Sequence, residues 1–293
     1  MRKLWYRSLR HACLSLFTLI LLLLAACDSG ANTASGTPTP NPAAGQVVIQ
    51  LFPTAGFILP RVVGVPEWTL YGDGTVLFLG QGSTVNLLQA HLSRADAQHI
   101  VDVVTNQYQF FASTETLYGQ TNPDVGPTLL YVHTNGQQKT VGIGQRAGDQ
   151  PDQQTTNIFA IQQFLQQQEP ANAIPYDPPA IALLALPDDQ PSQVTWPFDD
   201  ISLSQIAAQE CALLTPEAQC PAGQPSAIKM ISGSRAKAIL GGSGFTQTMM
   251  QNGKSYRIIS WPLLPDALHP APGTPAMITV TVGSELKQWP LSA

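Results

Sequence analysis

The spacing of apolar residues in the first half of the chain predicts short strands that are paired through tight turns. Residues 47–52 are β-branched and apolar, as expected of a buried strand. Residues 68–71 and 75–79 flank the sequence Gly-Asp-Gly, and residues 129–134 and 137–141 flank Asn-Gly. Because glycine and asparagine tolerate the positive φ of hairpin turns, the sequence predicts two antiparallel hairpins in this half.

Two longer stretches of this half have the apolar spacing of amphipathic helices. Ser93 is placed to cap the first helix, because Asp96 follows at the third helical position and Ile100 and Val104 lie on one apolar face. The second stretch covers residues 154–168 and sets a buried apolar stripe against glutamines. The first half is therefore predicted to combine hairpins with two helices.

The second half continues this pattern with shorter segments. Strands are predicted at four apolar segments, residues 180–186, 227–231, 256–261 and 278–282. A short helix is predicted at residues 234–240, and Asn252-Gly253 marks a further hairpin turn. This mixture predicts an α+β fold class in which antiparallel hairpins pack against short helices.

Stretches rich in proline, glycine and small polar residues divide the chain into parts. Residues 28–45 contain no large apolar side chain and are predicted to form a flexible tether. Four prolines among residues 169–179 exclude both a helix and a central strand, so this segment is predicted to be a connector. The predicted organisation is two small lobes, residues 46–168 and 180–293.

The N-terminus has the layout of a secretory signal peptide. Four cationic residues among positions 2–10 precede an apolar run of 15 residues at positions 12–26. A helix of that length rises roughly 22 Å, which is less than the roughly 30 Å hydrocarbon core of a bilayer. We therefore expect residues 1–26 to be removed as a signal peptide.

The end of this apolar run, Leu24-Ala25-Ala26-Cys27, resembles the lipobox of bacterial lipoproteins. The resemblance implies transfer of a diacylglycerol to the Cys27 sulfur, cleavage before Cys27 and N-acylation of the new N-terminus, so that fatty acyl chains such as palmitate anchor the protein. Residues 27–45 would then be the lipidated cysteine and its tether, and the protein would be anchored to the cell membrane on its extracytoplasmic side. The alternatives are an uncleaved anchor and a secreted protein in which Cys27 is incidental.

Charge limits the partners of such a protein. The 293-residue chain has 14 Lys and Arg against 19 Asp and Glu, a net charge of −5, and removal of the four signal cations would make it −9. A protein this acidic lacks the basic patch that binds nucleic acid or anionic lipid headgroups. We therefore exclude nucleic acid as a partner and expect the lipid to provide the contact with the membrane.

Cys211 and Cys220 are the two cysteines that remain after Cys13 leaves with the signal and Cys27 is lipidated. In an extracytoplasmic protein, a lone pair nine residues apart is typical of a disulfide that closes a small loop. A zinc site is the alternative, but it would need further ligands, and no histidine lies between the two cysteines. The sequence therefore predicts a disulfide between Cys211 and Cys220.

The hairpin at residues 66–76 contains Leu-Tyr-Gly-Asp-Gly-Thr-Val and resembles a family of uncharacterised bacterial secreted and lipoprotein domains. Further short motifs of that family follow in order along the chain: Leu92-Ser93, Phe110-Phe111, Tyr118-Gly119, Tyr256-Arg257-Ile258 and Pro262-Leu263-Leu264-Pro265-Asp266. This chain has Trp261 where the family favours arginine. The resemblance covers both lobes but implies no activity, so it identifies no catalytic residue.

Three patterns that occur in enzymes or metal sites have simpler explanations in this chain. Ser234 and Lys237 match the Ser-x-x-Lys of penicillin-recognising enzymes, but the other motifs of those enzymes are missing and Ser234 also suits a helix cap. Four histidines lie beyond the signal without metal-binding spacing: His91, His99, His133 and His269. Loop carboxylates could bind Ca²⁺ but lack the spacing of a calcium loop: Asp124, Asp149, Asp152, Asp188, Asp189, Asp199 and Asp200. We therefore predict no catalytic residue, no metal and no cofactor.

Three tryptophans, Trp196, Trp261 and Trp289, each precede a proline. Exposed tryptophans beside rigid turns stack on sugars or on partner peptides, so these indoles are the candidate binding surface. The alternative is packing in the core at the ends of strands.

Together these patterns predict a lipid-anchored extracytoplasmic protein that acts as a non-enzymatic binding or envelope-associated module. Its expected partner is cell-wall material or a secreted protein. The alternative is a hydrolase or enzyme inhibitor that acts on such substrates. A deep cleft with convergent acids, His133 or Ser234 would favour chemistry, whereas a shallow surface with exposed aromatic residues would favour binding.

Overall fold

The computed structural model confirms the α+β fold class, with antiparallel hairpin sheets and short helices. It describes residues 45–54, 62–63, 65–80, 87–122, 124–208, 228–240, 246–268, 277–282 and 285–292. All of these residues belong to one compact unit, which covers residues 41–293. The predicted signal peptide, Cys27, most of the tether, and the pair Cys211 and Cys220 lie outside the described residues.

Among the described residues, the first sheet contains eight strands in the order β6-β8-β7-β1-β3-β4-β5-β9. Its strands are β1 (Val47–Pro53), β3 (Trp68–Tyr71), β4 (Thr75–Leu79), β5 (Leu87–His91), β6 (Leu117–Tyr118), β7 (Thr128–Thr134), β8 (Gln137–Ile143) and β9 (Ile174–Pro175). Both predicted hairpins are confirmed, as the pairs β3–β4 and β7–β8. Asn135 and Gly136 both have positive φ in the β7–β8 turn, as the sequence predicts.

In the part of the chain that the structure describes, the second sheet contains seven strands in the order β12-β13-β10-β11-β15-β14-β2. Its strands are β2 (Val62–Val63), β10 (Ala180–Asp188), β11 (Ile228–Ser232), β12 (Thr246–Gln251), β13 (Lys254–Pro262), β14 (Met277–Val282) and β15 (Glu285–Ser292). Asn252 and Gly253 form the predicted turn between β12 and β13, and both have positive φ. The predicted strands at 180–186, 227–231, 256–261 and 278–282 are therefore all present with small shifts of their ends.

Short helices lie against both sheets. Their bounds are α1 (Arg94–Asp102), α2 (Gln153–Gln166), α3 (Leu203–Ala208), α4 (Ser234–Leu240) and α5 (Pro265–Leu268). Helix α1 continues into one π-helical turn, Val103–Gln107, which buries Val103 and Val104. None of the described helices is both long and apolar enough to cross a membrane.

Alternating side chains of the strands build a layered core. In β4, Val76 and Phe78 pack into a cluster with α1 and α2, whereas Leu77 packs into a second cluster between the two sheets. In β10, Leu184 lies in this middle cluster and Leu183 packs into a third cluster with α3 and α4. Because successive side chains of a strand point to opposite faces, the order of layers is helices, sheet, sheet, helices.

The middle cluster joins the two predicted lobes through a shared core. It combines Tyr71 and Leu77 of the first sheet with Leu184, Ile259 and Trp261 of the second. Full burial of each large apolar side chain stabilises the folded state by about 1.5–3 kcal/mol. Two short strands also cross between the halves, since β2 pairs with β14 of the second sheet and β9 pairs with β5 of the first.

Candidate functional site

A pocket of about 430 Å³ opens at the end of β5, beside the start of α1. Three separate parts of the chain line it: strands β3 and β4, residues 91–100, and the segment that follows α2. The lining side chains are Trp68, Val76, His91, Leu92, Ser93, Asp96, His99, Ile100, Gln167, Gln168, Glu169, Pro170 and Asn172. Neither Trp196 nor Trp261, the two candidate tryptophans whose side chains the structure describes, is among them.

Hydrogen bonds at the pocket wall hold these three parts together. The N–H of Leu92 donates to the carbonyl of Gly74 at 2.9 Å, which fixes the end of β5 against the β3–β4 turn. The indole Nε1 of Trp68 donates to the carbonyl of Gln168 at 3.2 Å, which ties the segment after α2 to β3. The segment 167–172 therefore forms a defined wall of the pocket.

Ser93 and Asp96 form the rim of the pocket at the start of α1. The Ser93 hydroxyl accepts a hydrogen bond from the Asp96 N–H at 3.2 Å and donates to the Asp96 Oδ2 at 2.6 Å. Ser93 is therefore the helix cap that the sequence predicts. In this arrangement its proton is directed to a carboxylate of its own helix, and no described hydrogen bond joins Ser93 to an imidazole.

The lining combines an apolar floor with a polar rim. Trp68, Val76 and Ile100 are buried, whereas His91 and His99 are exposed. The remaining polar lining side chains are the Ser93 hydroxyl, amides and carboxylates, and the described lining contains neither lysine nor arginine. Such a pocket offers both donors and acceptors of hydrogen bonds but no cationic side chain for a phosphate.

The sequence pattern does not point to this pocket, because it shows His91 and His99 only as histidines without metal-binding spacing. One signal was present in the sequence, since Asp96 and His99 are three residues apart on α1 and so share a helix face. The other two histidines named in the sequence analysis do not belong to this pocket as described. The Nδ1 of His133 is 3.0 Å from the Nε2 of Gln46, and His269 is outside the described residues.

Two of the three candidate tryptophans are buried, which corrects the expectation of an exposed stacking surface at these positions. Trp196 is 3% exposed, and its Nε1 donates to the carbonyl of Ile201 at 3.0 Å. Trp261 is also 3% exposed and packs in the middle cluster. Burial of an indole gains more apolar contact than a surface position, and the neighbouring prolines lie at strand and loop ends. Trp289 lies in β15, where the structure describes the backbone alone.

Ser234 and Lys237 do not form a described nucleophile and base pair. Ser234 is exposed at the first position of α4, as predicted for a helix start. The Nζ of Lys237 lies 2.6 Å from the Oδ2 of Asp177, and both side chains are more than half exposed. Lys237 therefore pairs with the segment that precedes β10 rather than with Ser234.

Three of the candidate loop carboxylates accept hydrogen bonds from groups of the protein itself. Asp152 caps α2 and accepts from the N–H of Thr155 at 2.6 Å, which lowers the pKa of its carboxyl group. A hydrogen bond from the N–H of Gln190, with help from Arg257, lowers the pKa of Asp188. The side chain of Arg235 lowers the pKa of Asp200 by donating to it at 2.7 Å.

Asp149 lies 4.0 Å from Arg146, and both side chains are exposed. Asp124, Asp189 and Asp199 are exposed loop residues. Within the described ranges, no three His, Cys, Asp or Glu side chains come together in a group that could hold a metal ion.

Comparisons with protein-family models, with curated proteins and with solved structures found no match to this chain. The resemblance to secreted and lipoprotein domains carried by residues 66–76 therefore remains a prediction. Within the described part of the chain, the pocket at the start of α1 is the candidate site on which a functional proposal can be built.

Proposed function

We propose that the protein is a lipid-anchored, extracytoplasmic binding module and that the pocket at the start of α1 holds a small hydroxyl-rich ligand, such as a saccharide unit of cell-wall material. The observation that carries the proposal is the pocket of about 430 Å³ with its apolar floor and polar rim. Small-molecule sites commonly combine such a floor with a few convergent polar groups.

The chemistry of the rim favours hydroxyl groups over anions. On one wall, the side chains of Gln167, Glu169 and Asn172 offer donors and acceptors of hydrogen bonds. The imidazoles of His91 and His99 lie on the other wall. A sugar hydroxyl both donates and accepts hydrogen bonds, and the carbon face of a sugar ring can rest on the apolar floor. Phosphates and carboxylates would meet Asp96 and Glu169 without a compensating lysine or arginine in the described lining.

The hydrogen bonding of the rim favours binding over hydrolysis. A serine nucleophile needs a base that accepts its proton, usually an imidazole within hydrogen-bond reach. The Ser93 hydroxyl instead donates to Asp96 and caps α1. His133 and Ser234, which sequence reasoning proposed as marks of a catalytic cleft, do not line this pocket.

The membrane anchor rests on the sequence Leu24-Ala25-Ala26-Cys27 and the cationic and apolar stretch before it. Growth of the host with an alkyne fatty acid, followed by click detection on the purified protein, tests this directly. We expect the wild type to carry the label. The control variant Cys13→Ala should carry it too, because this substitution leaves Cys27 intact. Label that persists on Cys27→Ala would contradict the anchor.

Ligand binding is tested with N-acetylglucosamine and its short oligomers, added to the isotope-labelled domain and followed by NMR. We expect amide shifts at Leu92, Ser93 and Asn172 that saturate with ligand concentration. Gln167→Ala should weaken binding by roughly 3- to 10-fold, as expected for one lost hydrogen bond.

Gln163→Ala is the matched control, because Gln163 is exposed one turn earlier on α2 and does not line the pocket. Its affinity should equal that of the wild type. Absence of shifts at the pocket at millimolar ligand, or equal weakening by both variants, would overturn the assignment of the ligand to this site.

A further inference from the structure

The strands at the outer edges of the two sheets differ in length. Among the described residues, the edge strands β2, β6 and β9 have two residues each, whereas β12 has six. An edge strand presents unpaired N–H and C=O groups to which another chain can pair, and a two-residue strand presents few of them. β12 is therefore the described edge on which a second molecule could form the longest ladder.

The sequence of β12 contains nothing that discourages such pairing. Thr-Gln-Thr-Met-Met-Gln has no charged residue, no proline and no glycine. Low charge and the absence of proline and glycine are part of the signature of short segments that pair with copies of themselves. Proteins commonly protect an edge of this kind with lysine, proline, a bulge or a covering loop.

Alternate residues of β12 direct their backbone groups away from β13. The two strands flank the two-residue turn Asn252-Gly253, and the residues beside such a turn, Gln251 and Lys254, form a hydrogen-bonded pair. Thr248 and Met250 occur at the alternate positions, at which no bond to β13 forms. Their N–H and C=O groups therefore belong to the outer edge of the sheet.

Residues 192–196, named the strap here, cover this edge. The N–H of Met250 donates to the carbonyl of Val194 at 2.7 Å, and the carbonyl of Met250 accepts from the N–H of Trp196 at 2.9 Å. Thr195 lies opposite Met250 in a single parallel bridge. Both outward groups of Met250 are therefore occupied by the strap.

Ser192 extends the cover to the next outward residue through its side chain. Its hydroxyl donates to the carbonyl of Thr248 at 2.6 Å and accepts from the N–H of Val194 at 3.1 Å. Its N–H donates to the Oγ of Ser255 at 3.3 Å, which ties the start of the strap to β13. The hydroxyl of Ser192 thus takes the place that the N–H of another strand would have.

The strap closes the edge without creating a new one. Its far end is fixed by Trp196, which is 3% exposed and donates from Nε1 to the carbonyl of Ile201 at 3.0 Å. Val194 is 53% exposed, so the middle of the strap is held to β12 by backbone bonds. Pro191 and Pro197 flank the strap and have no N–H to offer, which makes the strap a poor template for a further strand.

We propose that the strap prevents the protein from pairing with a second copy of itself through β12. Two copies related by a twofold axis would align their β12 strands antiparallel, with Thr248 opposite Thr248 and Met250 opposite Thr246. The strap and this dimer exclude each other, because both use the outward groups of Thr248 and Met250. The proposal does not require that the pocket binds a saccharide.

Sedimentation equilibrium of the wild type and Ser192→Ala tests the proposal. The substitution removes the bond to Thr248, and one hydrogen bond corresponds to roughly a 2- to 10-fold change in an equilibrium constant. Because both copies must release their straps, this factor enters the dimer dissociation constant twice. We therefore expect that constant to fall by roughly 5- to 100-fold in Ser192→Ala.

Ser202→Ala is the matched control. Ser202 is partly buried like Ser192, but its hydroxyl contacts Ser204 and Gln205 instead of β12. Its dimer dissociation constant should equal that of the wild type. Equal dissociation constants for Ser192→Ala and Ser202→Ala would overturn the proposal.

A second substitution in β12 shows whether a dimer uses this edge. Thr248→Pro removes an outward N–H that the strap does not use, so Ser192→Ala combined with Thr248→Pro should be monomeric. Thr248→Lys serves the same purpose if proline unfolds the strand, because it would place two like charges directly opposite each other in the dimer. A dimer of Ser192→Ala that persists in a folded double variant would also overturn the proposal.

Discussion

Gly74 and Leu92 contact each other through their backbones at the wall of the candidate pocket. The Leu92 N–H donates to the Gly74 carbonyl at 2.9 Å, and a β-carbon on Gly74 would lie 2.9 Å from the carbonyl oxygen of Leu92. The ring of His91 lies over the same glycine, with its Cε1 3.6 Å from that position. Gly74 also has a φ of 88°, which a β-carbon disfavours. A glycine is therefore required here both for conformation and for space.

We predict that Gly74→Ala destabilises the protein more than Gly136→Ala. Both glycines have positive φ, so each substitution should cost about 1–2 kcal/mol of conformational strain. A β-carbon at position 136 would lie in open space, whereas a β-carbon at position 74 would clash with the carbonyl oxygen of Leu92. Urea unfolding of the two variants measures the difference.

Gly136→Ala is the control in this comparison, because it carries the strain without the clash. NMR should in addition show shifted amides at His91 and Leu92 in Gly74→Ala. Equal loss of unfolding free energy in both variants would contradict the close packing of the turn against the pocket wall.

The burial of Trp196 and Trp261 leads to a second prediction. Replacement of either residue by alanine should destabilise the protein by about 3–5 kcal/mol, as for large aromatic residues in a core. Val194→Ala is the neighbouring control, because Val194 is 53% exposed and should change stability by less than about 0.5 kcal/mol. Thermal or urea unfolding measures all three, and losses near zero for the tryptophan variants would support a surface role.

Local signals explain the elements that could be predicted from the sequence. Some conformations strongly favour particular residue types, and the sequence shows these types at the right places. Examples are the turns at Gly72–Gly74 and Asn135-Gly136 and the helix cap at Ser93. Strand β5 carries no such signal, since Leu-Leu-Gln-Ala-His has no β-branched residue. Its conformation depends on pairing with β4, which is a tertiary contact.

The candidate site depends on contacts between distant segments, which is why the sequence pattern did not reveal it. Its wall at 167–172 reaches Trp68 through a hydrogen bond between residues 100 positions apart. The sequence leaves a surface role and core packing open for the tryptophans for a related reason, because a Trp-Pro pair does not show whether the indole faces the core or the solvent. The continuous apolar run at 180–186 is explained by the burial of both faces of β10 between two layers.

The cap of α2 leads to a prediction about pH. The N–H of Thr155 donates to Asp152 and lowers the pKa of its carboxyl group, so the folded protein holds fewer protons at this position than the unfolded chain. The stability that Asp152 contributes should be present above its unfolded pKa, near 4, and lost as pH falls through the folded pKa.

Asp152→Asn keeps an acceptor for Thr155 but cannot titrate. Thermal melts of the wild type and this variant should therefore converge as pH falls from 6 to 3. Asp124→Asn, at an exposed loop position, provides the control. A constant difference between the wild type and Asp152→Asn over this range would contradict the role of the charge.

The pairing of Lys237 with Asp177 leads to a prediction about reactivity. Acylation of a serine in a Ser-x-x-Lys motif requires a base that takes up the hydroxyl proton, but the Lys237 Nζ lies 2.6 Å from Asp177 and is described in no bond to Ser234. Labelled β-lactam should therefore leave Ser234 unmodified in intact-mass spectrometry of the wild type.

Asp177→Asn frees Lys237 from its partner and should likewise remain unmodified, because α4 holds Ser234 as an exposed helix start without a described pocket. Covalent labelling that disappears in Ser234→Ala would reverse this conclusion and identify a catalytic serine.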